Sequence, residues 1–262
     1  MRYLSLVLLF CISCSQVQKN TPSFIHFKFK NDSTIVFAEN KLACPTHLII
    51  TDLKSNRKQI IDFAPFDKKQ LFKTKVDTLR VLKNNAFSMH YGPSIPLKEY
   101  DTLYNYALPF LKGKRYKILQ GQSTNFTLKG ARSRYAIDFK MNIGQTICAM
   151  RDGVVVAIKE DSNKGGRSKK YLNDANYVML YHKDGLYTQY VHLKKEGVLV
   201  EKGDTIRKGQ PIAYSGNTGM STEPHLHFGV FKATPKSFVS IPYILDSIPT
   251  KKYVKGKFAL NN

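Results

Sequence analysis

A chain of 262 residues with 42% hydrophobic and 12% aromatic side chains can bury one large or two modest cores, and its composition excludes a disordered chain. Lys and Arg number 41 against 19 Asp and Glu, a formal net charge of +22 that calls for anionic partners. No basic recognition helix or zinc-finger spacing accompanies that charge, so no nucleic-acid partner is expected.

The N-terminus, "MRYLSLVLLFCISCSQ", carries one basic residue, Arg2, before an apolar run from Leu4 to Ile12. A bilayer span needs roughly 20 residues, so this shorter run reads as an export signal. It ends in "CISC", which resembles a lipobox with Cys11 where leucine is usual. The expectation is a lipoprotein-type signal over 1–13, lipid modification of Cys14 and a linker over 14–22. The product would be exported, in the cell envelope and membrane-anchored through its lipid. Removal of the signal leaves Cys44 and Cys148 unmodified. They are expected in different domains, either as buried thiols or as an exported disulfide pair.

Beyond the linker the chain reads as short strands. "FIHFKFK", "TIVFA", "THLIIT" and "QLFKTKV" are separated by turn clusters such as "KNDS" and "LKSNRK". Residues 23–80 are therefore expected to form a small β-sandwich-like module. Its His26 and His47 are read as structural or solvated. A Tyr-, Pro- and Gly-rich connector follows over 81–115. Strands resume over 116–235 with "YKILQ", "RYAIDF", "TICAM", "GVVVAIKE", "NYVMLYH", "LYTQYVHL", "PIAYSG" and "HLHFGVF". Many short strands with glycine turns predict an antiparallel sheet domain, making the fold class all-β. The polar stretch 161–175, with Lys164, Arg167, Lys169 and Lys170, is read as a long loop, either functional or a solvated insertion. Residues 236–262 are read as a basic C-terminal tail.

The chemistry gathers late in the chain. In "TEPHLHFGV", His225 and His227 are two residues apart, and strand alternation puts both imidazoles on one face with Leu226 on the other. Two converging imidazoles suit metal binding or proton transfer near neutral pH. In "YTQYVHL", the same alternation puts His192 on the face of Tyr190.

These segments, with "YAIDF", "GQTICAMRDGVVV" and "VEKGDTIRKGQPIAYSGNTGMSTEPHLHF", resemble the lysostaphin-type (LytM-like) zinc metallopeptidases, which cut peptidoglycan cross-bridges. The resemblance runs over about 85–235. It implies a zinc held by an upstream histidine, by Asp138 and by His227. It further implies His192 and His225 beside the metal-bound water as general base and transition-state stabiliser. A three-ligand zinc with one open position suits amide hydrolysis, because the ion acidifies water and polarises the carbonyl. His182 matches a histidine common in this fold and is given no catalytic role.

The upstream histidine is missing. In one branch of the family it stands four residues before the Asp, where this chain has Arg134. In the other it lies in a "Phe-Ser-His-x-Gly" segment, which "FTLKG" matches with Leu128 at the ligand position. Neither side chain ligates zinc. Arg134 would set a fixed positive charge against a dication or pair with Asp138 in its place. His90, in "FSMHYGPS", or an extra water is the candidate substitute. The expectation is therefore a degenerate, non-catalytic peptidase-like domain that binds peptidoglycan or regulates other cell-wall hydrolases. The competing expectation is an active zinc endopeptidase acting on peptidoglycan cross-links.

Overall fold

The structure, a computed structural model, describes residues 21–121, 130–235 and 237–262. The signal segment, Cys14 and Leu128 lie outside the described residues. Among those described, no helix is long and apolar enough to cross a membrane. The chain divides into two compact units, 1–94 and 95–262.

The first unit contains β1 (Ile25–Lys30), β2 (Ser33–Glu39), β3 (Thr46–Asp52), β4 (Lys58–Phe63), β5 (Lys68–Thr74), α1 (Thr78–Asn84) and β6 (Asn85–Tyr91). They form two antiparallel three-stranded sheets, in the orders β1-β2-β5 and β4-β3-β6. Both sheets feed one core of Ile25, Val36, Ala38, Leu48, Ile50 and Phe63, closed by Val81 of α1. Alternation along β2 puts Val36 and Ala38 inward together. The Asp77 carboxylate caps α1 by accepting from the Arg80 amide at 2.8 Å. Strand β6 falls in the stretch expected to be a connector. Its backbone pairs with β3 over seven residues, so the unit runs past residue 80.

The second unit contains β7 (Asn105–Tyr106), β8 (Arg115–Gln120), β9 (Ile137–Lys140), β10 (Thr146–Cys148), β11 (Gly153–Lys159), β12 (Gly165–Gly166), β13 (Tyr177–Tyr181), β14 (Tyr187–Val191), β15 (Leu193–Val198), β16 (Thr205–Ile206), β17 (Pro211–Ser215), β18 (Gly219–Met220), β19 (His225–Ala233), β20 (Phe238–Ser240), β21 (Ile244–Leu245), β22 (Ile248–Pro249) and β23 (Phe258–Leu260). Its main sheet runs β16-β11-β13-β14-β19-β9-β8-β23, with β20 also on β19. A smaller sheet runs β10-β17-β15. The core between them includes Ile137, Phe139, Tyr190, Leu226, Phe228 and Val230, all fully or nearly fully buried. The unit is all-β, as the alternating sequence predicts.

The stretch 236–262, expected to be a tail, contributes β20 and β23 to this sheet. Ile241, Tyr243, Leu245, Tyr253 and Ala259 carry it into the core, because apolar burial outweighs the pull of its lysines toward water. Cys44 and Cys148 are both buried thiols, one in each unit.

Candidate active site

Strand β19 positions the site. It lies between β14 and β9, and one row across the three strands reads Val191, His227, Asp138. The next row reads Tyr190, Phe228, Ile137, and all three are buried in the core. Leu226 likewise faces Phe139 in the core. One face of the sheet is thus apolar and closed, and the other carries His225, His227 and Asp138.

His192 reaches the cluster by a different route. Strand alternation would turn it to the core face with Tyr190, whose hydroxyl accepts from the Met150 amide. Its φ is +67°, in the left-handed region that residues other than glycine seldom adopt. That backbone reversal ends β14 and swings the ring to the other side, 4.5 Å from the His225 ring centroid and 6.0 Å from that of His227. The expectation that His192 shares a face with Tyr190 is corrected by this turn. Strain of this kind persists only where the surroundings hold it. Here the His192 Nδ1–H donates to the Thr218 carbonyl at 2.6 Å, and the Thr218 hydroxyl donates to the Leu193 carbonyl at 2.8 Å.

The other rings are fixed as firmly. His225 Nδ1–H donates to the Glu223 carbonyl at 2.8 Å, with Ser221 Oγ at 3.1 Å. With Nδ1 committed as a donor on both His192 and His225, each neutral ring leaves Nε2 as its acceptor. His227 Nδ1 bonds to Asp138 Oδ1 at 2.8 Å across the β9–β19 pair. Burial, then the neighbouring His225 and His227, push His192 down to about 3, so it is neutral at physiological pH. Burial alone pushes the Asp138 carboxyl up, but the His227 charge and hydrogen bond, with smaller pulls from His225 and His192, bring it below the usual carboxylate range.

Other residues singled out from the sequence make contacts of their own. His182 is buried, with Nδ1 at 2.7 Å from the Asp152 carbonyl and Nε2 at 3.0 Å from Thr188 Oγ1. His90 lies on β6 of the first unit, 3.0 Å from Ser88 Oγ and stacked on His47. Arg134 is exposed on the turn before β9, and the Asp138 carboxylate bonds to His227. Thr218 and Ser221 were missed from the sequence. Their one signal is the run of small polar residues in "SGNTGMSTEP" just before the paired histidines.

The donor set can be tested against zinc. Bonds of about 2.0–2.2 Å at tetrahedral angles would set two ligand atoms about 3.3–3.6 Å apart. Asp138 Oδ1 and His227 Nδ1 stand at 2.8 Å and share a proton. Among the described residues, no group of three His, Cys, Asp or Glu side chains stands ready to hold a metal. The described donors therefore supply two positions of a three-ligand centre and do not complete it.

Comparison with known proteins finds relatives for part of the chain. Residues 132–238 match the model of peptidase family M23. An uncharacterized metalloprotease of Buchnera aphidicola subsp. Baizongia pistaciae is 35% identical over 153 residues, covering 57% of this chain and 35% of that protein. The peptidoglycan DD-endopeptidase ShyA of Vibrio cholerae is 41% identical over 91 residues, covering 35% of this chain and 18% of that protein. The solved catalytic domain of lysostaphin from Staphylococcus simulans is 30% identical over 48% of this chain and 87% of that one. Its TM-score is 0.34, a superposition too loose to transfer geometry. The chain spans about a third or less of the first curated relatives it matches. Through residues 132–238, the chain belongs to peptidase family M23, the lysostaphin-type peptidases.

Proposed function

We propose that this chain is an envelope lipoprotein whose family-M23 domain binds peptidoglycan without cleaving it and serves other cell-wall hydrolases as a regulator. The observation that carries this reading is the donor set. Asp138 and His227 bond to each other, and neither family position for the upstream histidine holds one, since Arg134 and Leu128 stand there. Losing one of three donors weakens zinc binding strongly, because affinity depends on ligand count and on distances held within about 0.2 Å. The site face and its fixed rings remain, which suits a groove kept for binding. Relatives named as peptidoglycan endopeptidases indicate the polymer it would bind.

A second reading, an active zinc endopeptidase acting on peptidoglycan peptide cross-links, draws support from His192 and His225. Both rings are held through Nδ1 and leave Nε2 open; unprotonated it can take a proton as a general base, whereas an oxyanion role requires it protonated, as a donor. One experiment separates the two: zinc content of the purified full chain, with digestion of muropeptides. Stoichiometric zinc together with cleavage abolished by His225→Ala would sink the binding-only reading. Absence of both, with retained pelleting on sacculi, supports it. The Leu128→His variant should gain zinc, and a gain in Arg134→His instead would place the lost ligand four residues before Asp138.

A further inference from the structure

Beside the histidine cluster lies a cleft of about 410 Å³. We infer that it selects peptide strands carrying free carboxylates, through Arg167, Lys194 and Lys195. The inference rests on the peptidoglycan-binding reading and adds a specificity to it.

The lining holds those three cations and no Asp or Glu. Lys195 has an exposed partner in Glu196 at 3.3 Å, whereas neither Arg167 nor Lys194 forms an ion pair among the described residues. Two other acids close in sequence to lining residues are engaged elsewhere: Glu223 with Lys140 and Asp161 with Lys159. Three like charges around one small cleft repel each other, and an anionic ligand relieves that repulsion.

The cleft is built by the fold. Strand β12 pairs in parallel with β18, laying the 161–175 stretch against the Asn217–Gly219 turn. A Cβ on Gly165 would come within 2.2 Å of the Asn217 carbonyl oxygen, so only glycine allows that approach. Arg167 is thereby brought to the cleft wall. Lys194 and Lys195 follow His192 after Leu193. Thr218 and Ser221, which hold the rings of His192 and His225, also line the cleft. A ligand seated there lies one hydrogen bond from the histidine rings.

A peptide fits this lining better than a phosphate polymer does. Asn163, Asn217 and Thr222 add neutral donors and acceptors that match peptide bonds, while the cations match carboxylates. The volume falls in the usual range for ligand sites.

The test uses the full chain and the synthetic peptide Ala-Glu-Lys-Ala, with its side-chain and C-terminal carboxylates either free or both amidated. Calorimetry should show the free form binding at least about tenfold more tightly at 50 mM salt, with the margin shrinking at 300 mM. The Arg167→Gln, Lys194→Gln, Lys195→Gln triple variant, checked for a native circular dichroism spectrum, should lose the preference. The Arg167→Lys, Lys194→Arg, Lys195→Arg variant should keep it. Equal affinity for the two peptides, or a preference that survives the glutamine variant, overturns the inference. So does inorganic polyphosphate binding more tightly than the free peptide, which would assign the cleft to phosphate polymers. If the wild-type chain pellets with sacculi yet shows no carboxylate preference, the specificity fails and the peptidoglycan reading stands. If it does not pellet with sacculi, the peptidoglycan reading fails as well.

Discussion

Acidification should weaken the second unit through His182. This buried ring follows β13, giving its Nδ1–H to the Asp152 carbonyl and accepting from the Thr188 hydroxyl of β14 at Nε2. Burial holds its pKa down at about 4 against an ordinary 6.5, with Arg151 lowering it further and the Asp152 carbonyl, Asp184 and Asp152 opposing. Because the unfolded chain binds the proton more readily, His182 leaves stability intact above pH 6.5 and removes it as pH falls from 6.5 toward 4. A difference of that size corresponds to about 3 kcal/mol in full, and to about 2 kcal/mol between pH 7 and pH 5. Urea unfolding at the two pH values, followed by circular dichroism, measures the loss, and amide exchange over β13 and β14 assigns it to this unit. The His182→Gln variant keeps a donor and an acceptor but cannot titrate, so its loss between pH 7 and pH 5 should be smaller by about 2 kcal/mol. Parallel losses in the wild type and the variant would refute the reasoning.

Three further outcomes follow from the same contacts. Asp138→Ala leaves the part-buried His227 Nδ1 without its partner and should destabilise the unit by about 2 kcal/mol; an unchanged urea midpoint would remove the pair as a structural element. Phe139→Ala empties a fully buried position packed edge-on to Phe110 and should cost about 3–5 kcal/mol, read as a drop in melting temperature. Arg151→Ala strips Asp184 of a buried partner at 2.9 Å and Tyr104 of its stacked cation, so a loss of about 3–5 kcal/mol is expected, and a double-mutant cycle with Asp184→Ala should show strong coupling.

Much of this protein could be read without coordinates. Period-two alternation marks β2, β14 and β19 as strands, and it places His225 and His227 on one face because side-chain direction there is a local property. The identity of Asp138 and the two non-ligating residues upstream, Leu128 and Arg134, are equally sequence facts. Alternation failed at His192, where a single left-handed residue reverses the face, and no local propensity marks a histidine for that conformation. It failed again at 236–262, where lysines mask five core residues that only packing against β8 and β19 reveals.

Register was decided only in three dimensions. Asp138 and His227 are 89 positions apart, and antiparallel pairing of β9 with β19 sets them opposite each other. A slip of one residue would send either side chain into the core, so the buried row of Tyr190, Phe228 and Ile137 fixes the polar row above it. The cleft is tertiary in the same sense, since Arg167 and Lys194 meet there only because β12 lies along β18. Sequence thus determined which residues could do chemistry, and the long-range pairing of strands determined which of them meet, because side-chain direction is local whereas strand register depends on the whole core.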